Sequence, residues 1–207
     1  MKNTIVIIDY GVGNVRSVKN ALSSLGYTTV ISQEKRDIQG AACVVLPGVG
    51  AFAEGMKNLK ALGLLPILHD AAIKNKKPFL GICLGMQLLA ESSEEGGVHA
   101  GLGYIPGHVV RFPEKKTPRI PHVGWNTVSV SKTYPLFGDF EAGAHYYFDH
   151  SFYFNAPKKH VLATCEYGIQ FPAAVGFGNI YGVQFHPEKS QANGLKLFRS
   201  FFKSHNL

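Results

Sequence analysis

The chain has 207 residues, 45% of them hydrophobic and 17% charged, which excludes a disordered segment and is enough for a substantial core. The formal charge of +7 is carried by scattered lysine pairs such as Lys76-Lys77, Lys115-Lys116 and Lys158-Lys159. Without an aromatic-interleaved basic patch, this points to an anionic small molecule or an acidic partner face and away from nucleic acid. Cys43, Cys83 and Cys165 are odd in number and lack C-x-x-C spacing, so neither a disulfide framework nor a zinc site is indicated. The N-terminus carries no signal-peptide pattern and no apolar run reaches membrane-spanning length, so a cytoplasmic, reducing setting without a membrane is expected.

In chain order, Thr4 to Asp9 is a β-branched run without alternation, as expected of a strand covered on both faces. The Asp9-Tyr10-Gly11-Val12-Gly13-Asn14 loop that follows has Arg16 where a dinucleotide fingerprint needs its third glycine, so no nucleotide cofactor is expected. Asn14 is placed to cap a helix with Val15, Val18, Leu22 and Leu25 on its inner face, stopped by Gly26. Tyr27 to Ile31 and Cys43 to Leu46 read as strands, the second broken at Pro47-Gly48-Val49-Gly50. Helices are expected at about 52–60 and 64–75. This β-α-β-α-β order predicts an α/β fold with an open, mostly parallel sheet flanked by helices, of flavodoxin-like order.

Pro78 to Ala90 is the stretch on which the rest turns. A short apolar run enters Gly81-Ile82-Cys83-Leu84-Gly85, a cysteine version of the G-x-S-x-G elbow, and Leu84 to Glu91 has the composition of a helix. A nucleophile on such a turn has a strained backbone, and a Cβ two residues to either side would collide with its neighbours. The turn also places the sulfur at a helix N-terminus, which favours thiolate.

Beyond Gly96 the pattern changes to a loop-rich stretch and then short strands at 108–112, 126–131, 145–154, 161–166, 172–178 and 180–185. These read as antiparallel additions to the sheet or a small second sheet. No linker or repeat divides the chain, so one domain over 1–207 is expected. Gln191 to Ser204 closes it as an amphipathic helix with Leu195, Phe198, Phe201 and Phe202 inward. Just before it stands Gln184-Phe185-His186-Pro187-Glu188. Pro187 biases His186 toward extended backbone, where residues two apart face the same way. His186 and Glu188 are thus placed to form a base and its orienter, completing a triad with Cys83.

The elbow Gly81 to Gln87 together with Gln184-Phe185-His186-Pro187-Glu188-Lys189-Ser190 resembles the class I (triad) glutamine amidotransferases. Within them it resembles the glutaminase subunits of imidazole glycerol phosphate synthase. The likeness runs through Ile8 to Asn14, Leu46 to Phe52, Pro121 to Asn126 and Tyr146 to Ser151. It implies that Cys83 attacks the carboxamide of glutamine, His186 moves protons and Glu188 holds His186. Oxyanion donors would be the N–H groups of Leu84 and Val49. Gly48, Gln87, Ser151 and Phe152 would line the glutamine pocket. The released ammonia would pass to a (β/α)8-barrel synthase subunit acting on a phosphorylated ribulosyl aminoimidazole, with Tyr147 and Lys189 at the interface. The family usually has an apolar residue at Asp149 and often tyrosine at Phe152. Close relatives feed surface-sugar amidinating enzymes, the alternative acceptors.

Overall fold

An apolar run without alternation needs a covering layer on each face, so such runs become central strands. The computed structural model describes residues 3–131, 135–138 and 141–207. In it, β1 (Ile5–Ile8), β3 (Cys43–Gly48) and β4 (Phe79–Cys83) are buried at every position. Around them lie α1 (Val15–Ser24), β2 (Thr29–Ser32), α2 (Lys35–Gly40), α3 (Phe52–Ala61), α4 (Leu64–His69) and α5 (Leu84–Leu88). The second half supplies β5 (Ser92–Ser93), β6 (His99–Ala100), β7 (His108–Arg111), β8 (His122–Val130), β9 (His145–His150), β10 (Phe152–Asn155), β11 (Val161–Glu166), β12 (Gln170–Phe177), β13 (Ile180–Val183) and α6 (Gln191–Ser204).

Among the described residues the main sheet has the order β2-β1-β3-β4-β13-β12-β11-β8-β9. Its first five strands are parallel and the remaining pairings antiparallel. The parallel part has the flavodoxin-like order, with β13 as the fifth strand. A second, smaller sheet is ordered β10-β7-β5-β6. Side chains alternate between two cores. Ile5, Ile7, Val45 and Leu80 pack with Phe198, Phe201 and Phe202 on one face, and Val6, Ile8, Leu46 and Phe79 pack with Phe52, Leu59 and Leu88 on the other. Full burial of each such side chain contributes about 1.5–3 kcal/mol.

Several local expectations are corrected. Asn14 precedes α1 but makes no side-chain cap bond. The polar stretch around Lys35 forms α2, with Ile38 as its one buried side chain, too little periodicity to announce a helix. The 64–75 helix changes at Asp70 into a π-helical turn. The elbow helix ends at Leu88 rather than Glu91. The carbonyls of Leu88, Leu89 and Ala90 accept from the N–H groups of Leu102, Tyr104 and Gly103 at 2.8–2.9 Å, so a crossing loop takes the place of another turn. The 126–131 strand begins at His122. The single strand expected at 145–154 is two, because the chain leaves the main sheet at Ser151 and joins β7 of the other. In α6, Leu197 is buried where Leu195 was expected, giving the i, i+3, i+4 set Gly194, Leu197, Phe198, Phe201 and Phe202.

The elbow glycines are tied to this packing. A Cβ on Gly85 would lie 1.7 Å from the Leu46 carbonyl oxygen, whereas one on Gly138 would meet Ser200 Oγ at an ordinary 3.7 Å. Gly85→Ala is expected to lose more than about 3 kcal/mol of stability, or to yield no soluble protein, and Gly138→Ala to stay within about 0.5 kcal/mol. Urea denaturation of the two variants checks this, and equal losses would remove the close-approach argument.

Candidate active site

β4 runs into α5 with no loop between them, and Cys83 is the hinge. Its backbone is at φ 53°, ψ −110°, a region costing of order 1–3 kcal/mol for a residue with a side chain. Close packing holds it there. A Cβ on Gly81 would come within 2.6 Å of the Gly85 carbonyl, so the two turn glycines face each other backbone to backbone. Leu84 opens α5, whose first N–H groups have no acceptor within the helix and no side-chain cap.

The strand beside β4 brings the base. β13 is parallel to β4 with Val183 opposite Ile82, so the chain leaving β13 passes alongside Cys83. Gln184 still bonds across to Ala173, and His186 then donates its N–H to the Tyr147 carbonyl at 2.8 Å, which ties it to β9. Ser190 doubles this tie, accepting from the Tyr147 N–H at 3.0 Å and donating to the His186 carbonyl at 2.6 Å. His186 is 2% exposed, and its Nδ1 lies 2.9 Å from Glu188 Oε1. Burial works against a charged imidazole. The Cys83 sulfur and the Glu188 carboxylate outweigh it and push His186 up to about 10. The Glu188 side chain is itself buried, and its Oε2 has no hydrogen-bond partner among the described residues.

Cys83 opens onto a cleft of about 270 Å³. Val49, Gly50, Leu84, Gln87, Glu95, Asp149, Ser151 and Phe152 are among the residues that line it. Gly48 lies buried beneath, in register with Cys83. The Gln87 amide nitrogen donates to the Phe152 carbonyl at 2.9 Å and to Gln184 Oε1 at 3.1 Å. Behind the cleft, His150 Nδ1 bonds the Phe152 carbonyl at 2.7 Å and its Nε2 meets His122 Nδ1 at 3.0 Å. Burial pushes His122 down to about 4 and His150 to about 3, so both are neutral near pH 7. A larger open cleft of about 610 Å³ between Asp9, Glu34 and Asn58 holds neither cysteine nor histidine.

The structure thus gathers Cys83, His186, Glu188, Val49, Leu84, Gln87, Ser151 and Phe152 at one place. Tyr147 and Lys189 lie just outside, the ammonium 5.3 Å over the tyrosine ring. Sequence reasoning missed Glu95, whose Oε2 accepts the Phe52 N–H at 2.8 Å. Its setting, Ser-Ser-Glu-Glu-Gly, reads as a solvated loop. It also passed over His122 and His150, though their strand alternation placed both inward.

The glutamine amidotransferase class-I family model matches residues 6–204. The imidazole glycerol phosphate synthase subunit HisH 2 of Vibrio vulnificus is 50% identical over 198 residues, 95% of this chain and 92% of that protein. The subunit HisH of Geobacter sulfurreducens is 46% identical over 204 residues, 95% and 97% of the two chains. Among solved structures, a chain of PurLQS from Thermotoga maritima superposes with a TM-score of 0.76 at 19% identity, covering 99% of each chain.

The neutral histidine pair has a consequence for stability. Below pH 6.5 the unfolded chain protonates both imidazoles while the folded one refuses protons until about pH 4 and 3. Their contribution is therefore complete above 6.5 and is lost as pH falls. His186, raised instead, holds its proton in both states on the acid side and loses its contribution only as pH rises toward about 10. The melting temperature is expected to fall between pH 6.5 and 4.5, and less steeply in His122→Gln. Parallel slopes for parent and variant would show that the pair is not responsible.

Proposed function

The chain belongs to the class-I glutamine amidotransferases, and on that premise we propose that it is the glutaminase subunit of an imidazole glycerol phosphate synthase. It hydrolyses glutamine to glutamate and ammonia and passes the ammonia to a synthase subunit in histidine biosynthesis. The observation that carries this reading is the meeting of Cys83, His186 and Glu188 at the ends of two adjacent parallel strands. It occurs in a chain 50% identical to one such subunit and 46% identical to another, over nearly its whole length. Those relatives favour the histidine branch over a sugar-amidinating acceptor.

Glutamine enters with its carboxamide against Cys83, its α-ammonium toward the carboxylate of Glu95 and its carboxylate toward the backbone of Ser151 and Phe152. The thiolate attacks the carboxamide carbon and the carbonyl π pair moves to oxygen. The N–H groups of Leu84 and Val49 receive that oxyanion. Each such donor is worth about 2.7–4 kcal/mol, and Gly48 and Gly50 leave the Val49 peptide free to turn. The His186 imidazolium gives its proton to the amide nitrogen, the C–N bond breaks, and ammonia leaves a thioester behind. Water then attacks the thioester carbon while His186 takes its proton. The C–S bond breaks with its electron pair on sulfur, restoring the thiolate and imidazolium. Glu188 holds the Nδ1 proton throughout and so keeps the other ring nitrogen facing the reaction.

Ammonia released into neutral water becomes ammonium, which has no lone pair to attack with, so the product needs a covered route to its acceptor. The rim offers a docking face for a (β/α)8-barrel partner. Val123 (53% exposed) and Trp125 (46%) stand on the outer face of β8 beside Tyr147 and Lys189. No described helix is long and apolar enough to cross a membrane, and a reducing cytoplasm keeps the thiol available.

Cys83→Ala is expected to abolish glutamine-dependent turnover while the assembled complex still uses added ammonium. Appreciable glutaminase activity in that variant would end the proposed mechanism. Mixing the chain with the histidine-pathway barrel of its source organism, phosphoribulosyl substrate and glutamine should give a stable complex and imidazole glycerol phosphate. The glutaminase rate should rise strongly over that of the chain alone. No complex with that barrel, and activation by a sugar-amidinating enzyme instead, would move the assignment to that branch.

A further inference from the structure

Gln184 takes no part in the steps above, yet its side chain is 0% exposed. An amide buried so completely costs stability unless both of its ends are paired. Its Oε1 accepts from Gln87 Nε2 at 3.1 Å, and its Nε2 stands 3.8 Å from Cys83 Sγ. Backbone chemistry decides which end faces the sulfur. The Phe152 carbonyl only accepts, so the group that Gln87 turns to it at 2.9 Å is the amide nitrogen. The second hydrogen of that nitrogen meets Gln184, which must answer with its oxygen. The nitrogen of Gln184 is thereby turned to Cys83.

The same carbonyl is held from behind. His150 donates to it from Nδ1 and accepts at Nε2 from His122 Nδ1. His122 Nε2 in turn receives Asn126 Nδ2, which only donates, at 3.3 Å. Every proton in this chain is assigned from both ends without conflict, so the polarity of Gln184 is fixed before any substrate arrives.

We propose that Gln184 is a catalytic residue that activates Cys83, its fixed amide N–H donating to the thiolate sulfur. When the sulfur carries its proton, the S–H turns to the Asp149 carbonyl, also 3.8 Å away. When it is ionised, the carbonyl is no partner and the Gln184 N–H is. The donor acts twice in a turnover, on the attacking thiolate and again on the thiolate expelled from the thioester intermediate. Because it is oriented in advance, it needs no rearrangement at either moment. The inference rests on Cys83 being the nucleophile.

The test replaces Gln184 with methionine, which keeps the length and removes the donor, and follows alkylation of Cys83 by iodoacetamide at pH 7. Without the donor less of the sulfur is ionised, and alkylation is expected to slow by more than about two-fold. The glutaminase kcat should fall by about ten-fold or more, with KM for glutamine little changed. Should the Gln184→Met chain not fold, Gln184→Asn carries the same expectation. It keeps an amide beside Gln87 but withdraws the nitrogen from the sulfur. A folded variant, judged by its melting transition, whose cysteine is alkylated within about two-fold of the parent rate overturns the proposal, whatever its glutaminase activity. That failure is distinct from glutaminase surviving Cys83→Ala, which would overturn the nucleophile reading itself.

Discussion

The rest of the site depends on one strained residue. Cys83 holds a positive φ between a fully buried strand and a five-residue helix. Nothing at Cys83 favours that conformation. It persists because the strand before it is covered on both faces and the helix after it is pressed onto β3 so tightly that Gly85 has no room for a Cβ against Leu46. Strain in the Cys83 backbone is thus offset by burial elsewhere, and the sulfur projects into a cleft that a regular strand or helix residue would not reach.

From that hinge the parallel sheet order does the assembling. β3 and β13 are the two neighbours of β4, and their carboxyl ends lie on either side of Cys83. One end continues into Val49 and Gly50 at the cleft wall, the other into Gln184 and His186. Residues separated by more than a hundred positions become neighbours without any loop having to be shaped for the purpose. Ligand sites at the carboxyl ends of parallel strands follow from the same geometry.

Electrostatics then separates the histidines. His186 is buried against a sulfur and a carboxylate, and these raise it in spite of desolvation. His150 is buried against another imidazole and a carbonyl, and desolvation wins. The first can carry a proton at neutral pH and the second serves as a fixed neutral donor. The fixed donor matters because it grips Phe152 at the point where the chain crosses from the main sheet to the smaller one. Alternation along β9 does the remaining sorting. Phe148 and His150 point inward, and Asp149, opposite Val123, points out to the rim.

Much of this was legible in the sequence, and for definable reasons. Unbroken apolar runs announce strands covered on both faces, so β1, β3 and β4 and their parallel order could be read directly. The elbow glycines and the His-Pro-Glu step are short-range constraints, and Cys83, His186 and Glu188 could be named from them. What sequence patterns do not carry is where polar side chains meet across the fold. α2 has one buried residue, and the strand at 145–154 looks continuous until its two halves find different partners. Glu95 sits in a run that reads as solvent-facing until the helix Phe52 begins is packed above it. Gln184 is one letter in a motif until Gln87 and the Phe152 carbonyl fix which end of its amide faces the sulfur. Periodicity and turn chemistry act over a few residues and are written locally. The orientation of a buried hydrogen-bond chain is set by groups far apart in sequence, and only their packing in three dimensions decides it.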